Sequence, residues 1–491
     1  MDKPASVPQL NVFNTWEKED CNILISAGAG TGKTTTLMGL LERCKHRTLF
    51  LAFNKSIQED IQGKIEKRGL SQGLAKTLHS LGLDSLKTKY RRLNVVSSKR
   101  FELVKQLQKD HKIIFKKIKW EDRLKLSYTL MDLFDVSRNY LTNDLEVLKK
   151  HLASMDKPFN NHKQLPMLWE EMIKLNEASY VGEIINIDFI DMIYLPLHLD
   201  LTIPIYPTYL FVDEAQDLNL CQHGLIDKLV SQGTIEKWCA VGDRKQAIYG
   251  FSGASSNSFD MFLSKPGTVK ELPLDINYRS KPNIIDSANE VFDVLRSFRT
   301  EDGIVKTINE PAFIQPNSMI VCRNIAPLID LYFQMLALSK PCYIKSADIM
   351  AGVVRYMKPY TKETVIGARY EMSSELNNLA EKRGEENRMK AYIAKENFAI
   401  FKLLTKHLAT DTMKISDLLI KLKTLYVKKT GASMLCSIHK SKGLEADIVY
   451  ILNENLIPSK FAKSKEQLLQ EQHLKYVART RAKDEMYFLN L

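Results

Sequence analysis

The feature that most restricts this chain is an eight-residue loop, Ala27-Gly28-Ala29-Gly30-Thr31-Gly32-Lys33-Thr34. It lies between an apolar run, Asn22-Ile23-Leu24-Ile25-Ser26, and a helical pattern, Thr35-Thr36-Leu37-Met38-Gly39-Leu40-Leu41. The loop fits A/G-x-x-x-x-G-K-S/T. Its glycines let backbone N–H groups converge on phosphate oxygens, and the start of the next helix adds positive potential. Lys33 can reach the β- and γ-phosphates, and the Thr34 hydroxyl can ligate Mg²⁺. Strand, loop and helix in this order commit the chain to an α/β nucleotide-binding core.

A triphosphatase also needs carboxylates at the end of a neighbouring strand. Asp213-Glu214 follows the apolar run Tyr209-Leu210-Phe211-Val212. There Asp213 can hold the water shell of Mg²⁺, and Glu214 can orient or deprotonate an attacking water. About 180 residues separate Lys33 from Asp213, more than a minimal core requires, so the intervening chain carries an insertion.

Further short apolar runs ending in turn residues read as buried parallel strands: Thr48–Phe53, and Trp238–Val241 running into Gly242-Asp243. The rhythm returns at Ser318–Cys322, Ala446–Ile451 and Glu485–Leu489, which predicts a second sheet. Stretches 85–187 and 356–428 are rich in Lys, Leu, Glu and Met with few glycines, and read as helical insertions. At 491 residues, two to four domains are expected.

Lys and Arg number 70 against 58 Asp and Glu, a net charge of +12 that favours polyanionic partners. Fourteen Lys and Arg against five acids fall between Asp84 and Lys125, in the first insertion; a solvated helical face accounts for this as readily as a nucleic acid. Seven scattered cysteines without a Cys-x-x-Cys pair argue against a disulfide framework and against a zinc or iron–sulfur site. No apolar run approaches the roughly 18–20 residues that span a bilayer. The start, Met1-Asp2-Lys3-Pro4-Ala5, lacks the apolar core of a secretory signal. A cytoplasmic location, in a bacterium or a phage-infected host, is the expectation.

Beyond the two nucleotide motifs, Asp213-Glu214-Ala215-Gln216-Asp217 resembles helicase motif II, and Val241 to Ala254, with Gln246-Ala247-Ile248-Tyr249-Gly250-Phe251 inside it, resembles motif III of the UvrD/Rep/PcrA group of superfamily 1. Asn277-Tyr278-Arg279-Ser280 resembles motif IV, Ser437 to Glu445 motif V, and Tyr476 to Ala482 motif VI. Gln9 sits where that family's adenine-reading Gln lies, and Thr77-Leu78-His79-Ser80 matches a DNA-contacting T-x-H-S element. The matches keep family order from Gln9 to Ala482.

The resemblance implies two RecA-like parallel-sheet P-loop domains with mainly helical insertions. Domain 1A would take 1–84 and 188–285, insertion 1B 85–187, domain 2A 286–355 and 429–491, and a short 2B 356–428. It implies that Gln246 senses the γ-phosphate, Tyr278 stacks on adenine, Arg279 and Arg481 place guanidinium groups on the γ-phosphate, and Glu445 accepts a bond from the ribose. Arg481, from the second α/β block, would reach ATP only on domain closure; a surface salt bridge is its plainer role. Phe53, Tyr249 and Phe251 would stack on bases, each worth roughly 1–3 kcal/mol, with Asn54, His79 and His439 adding polar contacts. Phe53 and Phe251 fit core packing as well. The Ile-Tyr-x-Phe of motif III resembles the 3′→5′ branch of the superfamily.

Departures are few. Thr35 stands where the family often has an adenine-sandwiching Arg, and Ser437 where Thr is usual. The second insertion is short, and the length and the Leu51–Ile61 element resemble compact phage-encoded members. The implied partners are ATP with Mg²⁺, single-stranded DNA and ss/ds junctions, with low processivity, a monomeric state, and replication or recombination proteins as helpers. Three rivals stand beside the helicase: a translocase that strips proteins from single strands, a DNA-bound scaffold with structural nucleotide, and an RNA-acting NTPase.

Overall fold

The computed structural model describes residues 4–96, 99–154, 162–248, 257–345, 354, 356–380, 385–422 and 430–491. The chain divides into two compact units, Met1–Asp275 and Ile276–Leu491.

The first unit contains strands β1 (Asn22–Ala27), β2 (Thr48–Ala52), β3 (Gly73–Thr77), β4 (Arg92–Val95), β5 (Ile184–Ile187), β6 (Tyr209–Val212), β7 (Lys237–Gly242) and β8 (Val269–Leu274). Six of them form one sheet in the order β3-β2-β6-β7-β1-β8, with every neighbouring pair parallel. Its helices are α1 (Val7–Lys18), α2 (Lys33–Leu41), α3 (Lys55–Lys67), α4 (Leu78–Lys87), the insertion helices α5 (Lys99–Asp110), α6 (Lys112–Lys117), α7 (Trp120–Asn139), α8 (Leu145–Ser154) and α9 (Leu165–Ala178), then α10 (Asp191–His198) and α11 (Leu220–Ser231).

Successive strand residues point to opposite faces, and here both faces are covered, so the strands are apolar almost throughout. Ile23, Ile25, Phe50, Phe211 and Val241 share a buried cluster with Phe13 and Trp16 of α1, Leu37 and Leu40 of α2, and Ile61 of α3. Leu24, Leu49, Leu51, Leu210 and Ala240 share another with Leu78 and Leu81 of α4, Ile193 of α10, and Leu225 and Leu229 of α11. The insertion has its own core of Leu107, Leu130, Leu133, Phe134, Leu168 and Trp169. The parallel pair β4–β5 brackets the insertion helices in the chain.

One part of the basic first insertion is not a solvated face. Lys99 and Arg138, 3% and 1% exposed, are buried with Asp191. Lys99 Nζ lies 2.7 Å and Arg138 Nη1 2.8 Å from its two carboxylate oxygens. Arg138 also bonds both oxygens of Asp188. Buried charges persist only when paired, and this cluster ties α5 and α7 to α10.

The second unit repeats the plan. Strands β9 (Ile276–Asn277) and β10 (Arg296–Ser297) form a short pair, while β11 (Ile304–Ile308), β12 (Met319–Cys322), β13 (Cys342–Ile344), β14 (Ser433–Ser437), β15 (Ala446–Leu452) and β16 (Ala482–Leu489) build a sheet in the order β11-β16-β15-β12-β14-β13. All its neighbouring pairs are parallel. Helices Val365–Ala380, Glu385–Leu408 and Ile415–Lys421 lie between β13 and β14. The architecture is therefore two parallel-sheet α/β domains of the RecA type carrying helical insertions. Among the described residues no helix is long and apolar enough to cross a membrane, and all seven cysteines are buried free thiols.

Candidate active site

In an open parallel sheet, ligands gather at the carboxyl ends of the strands. Strands β6, β7 and β1 are neighbours, so their ends bring together Asp213-Glu214, Asp243–Gln246 and the loop 27–34. Ala27 closes β1, Gly28 N donates to Leu274 O at 2.9 Å, and Ala29 is fully buried. Gly30 and Gly32 have φ of +66° and +79°, a region glycine enters without steric cost. Thr31 Oγ1 and Lys33 Nζ both donate to Gly28 O, at 3.0 and 3.2 Å. The Thr34 hydroxyl donates to Asp213 Oδ2 at 3.3 Å. Gln9 is buried; its Oε1 accepts from Ser6 N at 3.0 Å and its Nε2 donates to Thr36 Oγ1 at 3.0 Å. Thr35 is exposed.

Burial, then the neighbouring Glu214 carboxylate, push the Asp213 carboxyl up to about 7, against the pull of Lys33 and of hydrogen bonds from Glu214 N and Thr34. Burial raises Asp243 as well, with Lys33 opposing. A hydroxyl and a carboxylate side by side, short of positive charge, fit a hard divalent cation such as Mg²⁺.

Glu214 has φ of +51°, a left-handed conformation that costs a non-glycine residue roughly 1–2 kcal/mol. Its surroundings hold it there. Gln216 Nε2 donates to Glu214 Oε2 at 2.6 Å, and Gln216 Oε1 accepts from Asp243 N at 2.9 Å. Gln246 Nε2 donates to Asp243 Oδ2 at 2.7 Å. Gly242 makes the arrangement fit: a Cβ there would lie 2.4 Å from Gln216 Oε1 and 2.9 Å from the Phe259 ring.

In the second unit, Arg279 Nε donates to Glu445 Oε2 at 2.6 Å and its Nη1 to Thr480 O at 3.1 Å. Lys483 Nζ approaches Glu445 Oε1 at 3.2 Å. Burial works to raise the Glu445 carboxyl, but Arg279 and Lys483 prevail and hold it below its usual value. Arg481 is 1% exposed; it donates to Val477 O at 2.8 Å, Leu444 O at 3.1 Å and Thr480 Oγ1 at 3.0 Å. Arg279, Glu445 and Arg481 thus meet around Thr480. Tyr278 packs its ring 5.0 Å from that of Phe298.

Strands β2 and β3 are neighbours at the edge of the first sheet, and they present the residues singled out for nucleic-acid contact. Phe53, half-buried, and exposed Asn54 follow β2; Asn54 Oδ1 accepts from Ile57 N at 2.9 Å and caps α3. His79 is the second residue of α4, just after β3, and burial lowers its pKa. In the second unit His439 is pushed down to about 3 by burial and by Arg323. Tyr249 and Phe251 lie outside the described residues.

Sequence reasoning missed Phe189, which is 59% exposed and sets its ring 6.1 Å from His79. Its signal was an aromatic in the loop between β5 and α10. It also missed His223 and Ser258, which hydrogen-bond beneath the Glu214 turn and belong to no motif.

Two family models match the chain: the UvrD/REP helicase N-terminal domain over residues 10–266 and the UvrD-like helicase C-terminal domain over residues 345–490. The ATP-dependent DNA helicase Rep of Buchnera aphidicola is 26% identical over 288 residues, covering 55% of this chain and 41% of Rep. The ATP-dependent DNA helicase PcrA of Staphylococcus aureus is 26% identical over 307 residues, covering 57% of this chain and 40% of PcrA. The chain thus spans about two-fifths of the length of these curated relatives. The arterivirus nonstructural protein 10 helicase superposes with a TM-score of 0.35 at 10% identity, covering 96% of this chain and 59% of that one, too slight a likeness to place any residue. With a family model matching more than half its length and the nucleotide motifs set at the ends of adjacent strands, the chain belongs to the UvrD/REP helicase family.

Proposed function

We propose that this chain hydrolyses ATP with Mg²⁺, moves 3′→5′ along single-stranded DNA and opens duplex at ss/ds junctions, in replication, recombination or repair. One observation carries the reading. The sheet edge that joins Thr34 to Asp213 beside strained Glu214 also presents Phe53, Asn54 and His79 at the ends of β2 and β3.

Backbone N–H groups of residues 28–32 cradle the phosphates, and Lys33 leaves Gly28 O for the β- and γ-oxygens. Thr34 and Asp213 would hold Mg²⁺, which when bound would neutralise charge on the phosphates. Glu214 accepts a proton from the water that attacks the γ-phosphorus while the bond to the β-phosphate oxygen breaks and ADP departs. Gln246, linked to Asp243, senses the γ-phosphate from the end of β7. Gln9 and Tyr278 flank adenine, and Glu445 receives the ribose hydroxyl once Arg279 turns to phosphate.

Arg279 and Arg481 come from the second unit and complete the site when the units close, so hydrolysis and movement are coupled. Leu444 O, Val477 O and Thr480 Oγ1 fix the plane of the Arg481 guanidinium. Phe53, Phe189, Tyr249 and Phe251 offer faces for bases, with polar support from Asn54, His79 and His439. The polarity rests on the Ile248-Tyr249-Gly250-Phe251 pattern.

Duplexes carrying a 3′ or a 5′ single-stranded tail test the reading. ATP-dependent strand separation from the 3′-tailed substrate is the expected result. Equal opening of both, or opening of the 5′-tailed one alone, contradicts the polarity. Translocation without opening makes the protein a strand-clearing translocase, and stronger stimulation by RNA makes it an RNA-acting NTPase.

A further inference from the structure

Glu214 occupies a conformation its side chain disfavours, so something must hold the turn 214–217 in place. The Gln216–Asp243 bond holds one side. On the other, Ser258 Oγ donates to Ala215 O at 2.7 Å, and His223 Nε2 lies 2.9 Å from the same Oγ. The serine hydrogen is committed to Ala215, so His223 must be the donor, protonated at Nε2. Burial, chiefly, and Lys265 lower the His223 pKa to about 3, which keeps the ring neutral.

His223 and Ser258 are 1% and 0% exposed. The ring stands 5.1 Å from that of Phe262, and its Nδ1 has no hydrogen-bond partner among the described residues. A buried imidazole with one nitrogen unpaired is a poor choice for filling apolar space. What it contributes is the single bond to Ser258.

We infer that His223 and Ser258 are positioning residues for hydrolysis: through the Ala215 carbonyl they hold Glu214 in its left-handed turn, aimed at the attacking water. This rests on the ATPase reading above. Ser258 also follows the motif III aromatics in sequence, so the same hydroxyl anchors the chain that leaves that motif to the turn bearing the catalytic carboxylate.

The test is steady-state ATP hydrolysis with saturating oligo(dT), comparing wild type with Ser258→Ala, His223→Phe, His223→Gln and Glu214→Gln. Ser258→Ala is expected to lower kcat about tenfold to a hundredfold with the KM for ATP nearly unchanged, the pattern of a misplaced group that acts in the transition state. His223→Phe lowers kcat less, because Ser258 keeps its own bond to Ala215. His223→Gln, whose amide restores an N–H donor, recovers wild-type kcat. If His223→Gln is as slow as His223→Phe, or if kcat holds in every His223 and Ser258 variant, the inference is wrong. An inert wild type or an active Glu214→Gln overturns the ATPase reading instead, and the inference with it. Should Ser258→Ala fail to fold, the His223 pair decides.

Discussion

Thr34 and Asp213 are 179 positions apart in the chain, and the hydroxyl of one donates to the carboxylate of the other at 3.3 Å. Only β7 separates the strands that precede them, so the parallel order of the sheet makes the contact. Neither the hydroxyl nor the pull of Lys33 brings the Asp213 carboxyl back to its ordinary value. The properties of the pair should therefore change with pH and with metal.

Asp213 weakens the nucleotide-free protein as pH rises. Its carboxyl is held near 7 in the fold against 3.8 ordinarily. Between those values the unfolded chain has released a proton that the folded one keeps, so stability falls across that window. Asp213→Asn removes the loss. At pH 8 its melting temperature should exceed wild type by about 2–4 °C for each kcal/mol relieved, while ATP turnover drops to background. Thermal melts at pH 5 and pH 8 check this; the gain should be largest at pH 8.

Metal binding should release a proton. Mg²⁺ needs Asp213 ionised, so its affinity should climb as pH rises toward 7 and level off above it. Calorimetry at pH 6 in two buffers of different ionisation enthalpy should report close to one proton released per ion, falling toward zero at pH 8.5.

Gly242→Ala should damage the site through Gln216. The added methyl would meet Gln216 Oε1 and the Phe259 ring below contact distance. Overpacking of this kind costs roughly 1–3 kcal/mol, and the Gln216–Asp243 bond is the nearest thing to give way. Lower kcat with a lower melting temperature is the expected pair of results.

Arg481→Lys should fail as badly as Arg481→Ala. The guanidinium donates to Val477 O, Leu444 O and Thr480 Oγ1 among the described residues, which a lysine ammonium cannot match in a plane. If the guanidinium serves the γ-phosphate, ATP turnover should fall by about a thousandfold or more while ATP binding persists. Rapid-quench hydrolysis beside a nucleotide-binding titration separates the two effects.

Phe189→Ala should weaken single-strand binding. Loss of one stacked base costs roughly 1–3 kcal/mol, about a fivefold to hundredfold rise in Kd. Hydrolysis without DNA should stay at the wild-type rate. Fluorescence anisotropy with a labelled oligonucleotide measures the first and a coupled ATPase assay the second.

The sheets were legible because strands covered on both faces leave unbroken apolar runs, as in Phe50-Leu51-Ala52 or Phe211-Val212. Edge strand β3, Gly-Leu-Ala-Lys-Thr, passed unnoticed because only Ala75 is buried. The nucleotide loop and the Asp213-Glu214 pair were legible because their chemistry needs fixed residue types at fixed spacing. His223 and Ser258 were not, since a hydrogen bond between residues 35 positions apart follows from packing alone. Lys99 looked like part of a solvated basic stretch and Arg138 drew no notice, because their acids, Asp188 and Asp191, lie far along the chain. Asn54 was noticed for a nucleic-acid contact, and the structure adds a helix cap.

The central claim is that the loop and carboxylates of the first unit hydrolyse ATP in answer to a DNA strand. Steady-state phosphate release with and without oligo(dT), for wild type and Lys33→Ala, measures it most directly. Strong stimulation by the oligonucleotide in wild type, with Lys33→Ala at background in both conditions, is the predicted result. Phosphate release that ignores the strand, or that survives loss of the lysine, would contradict it.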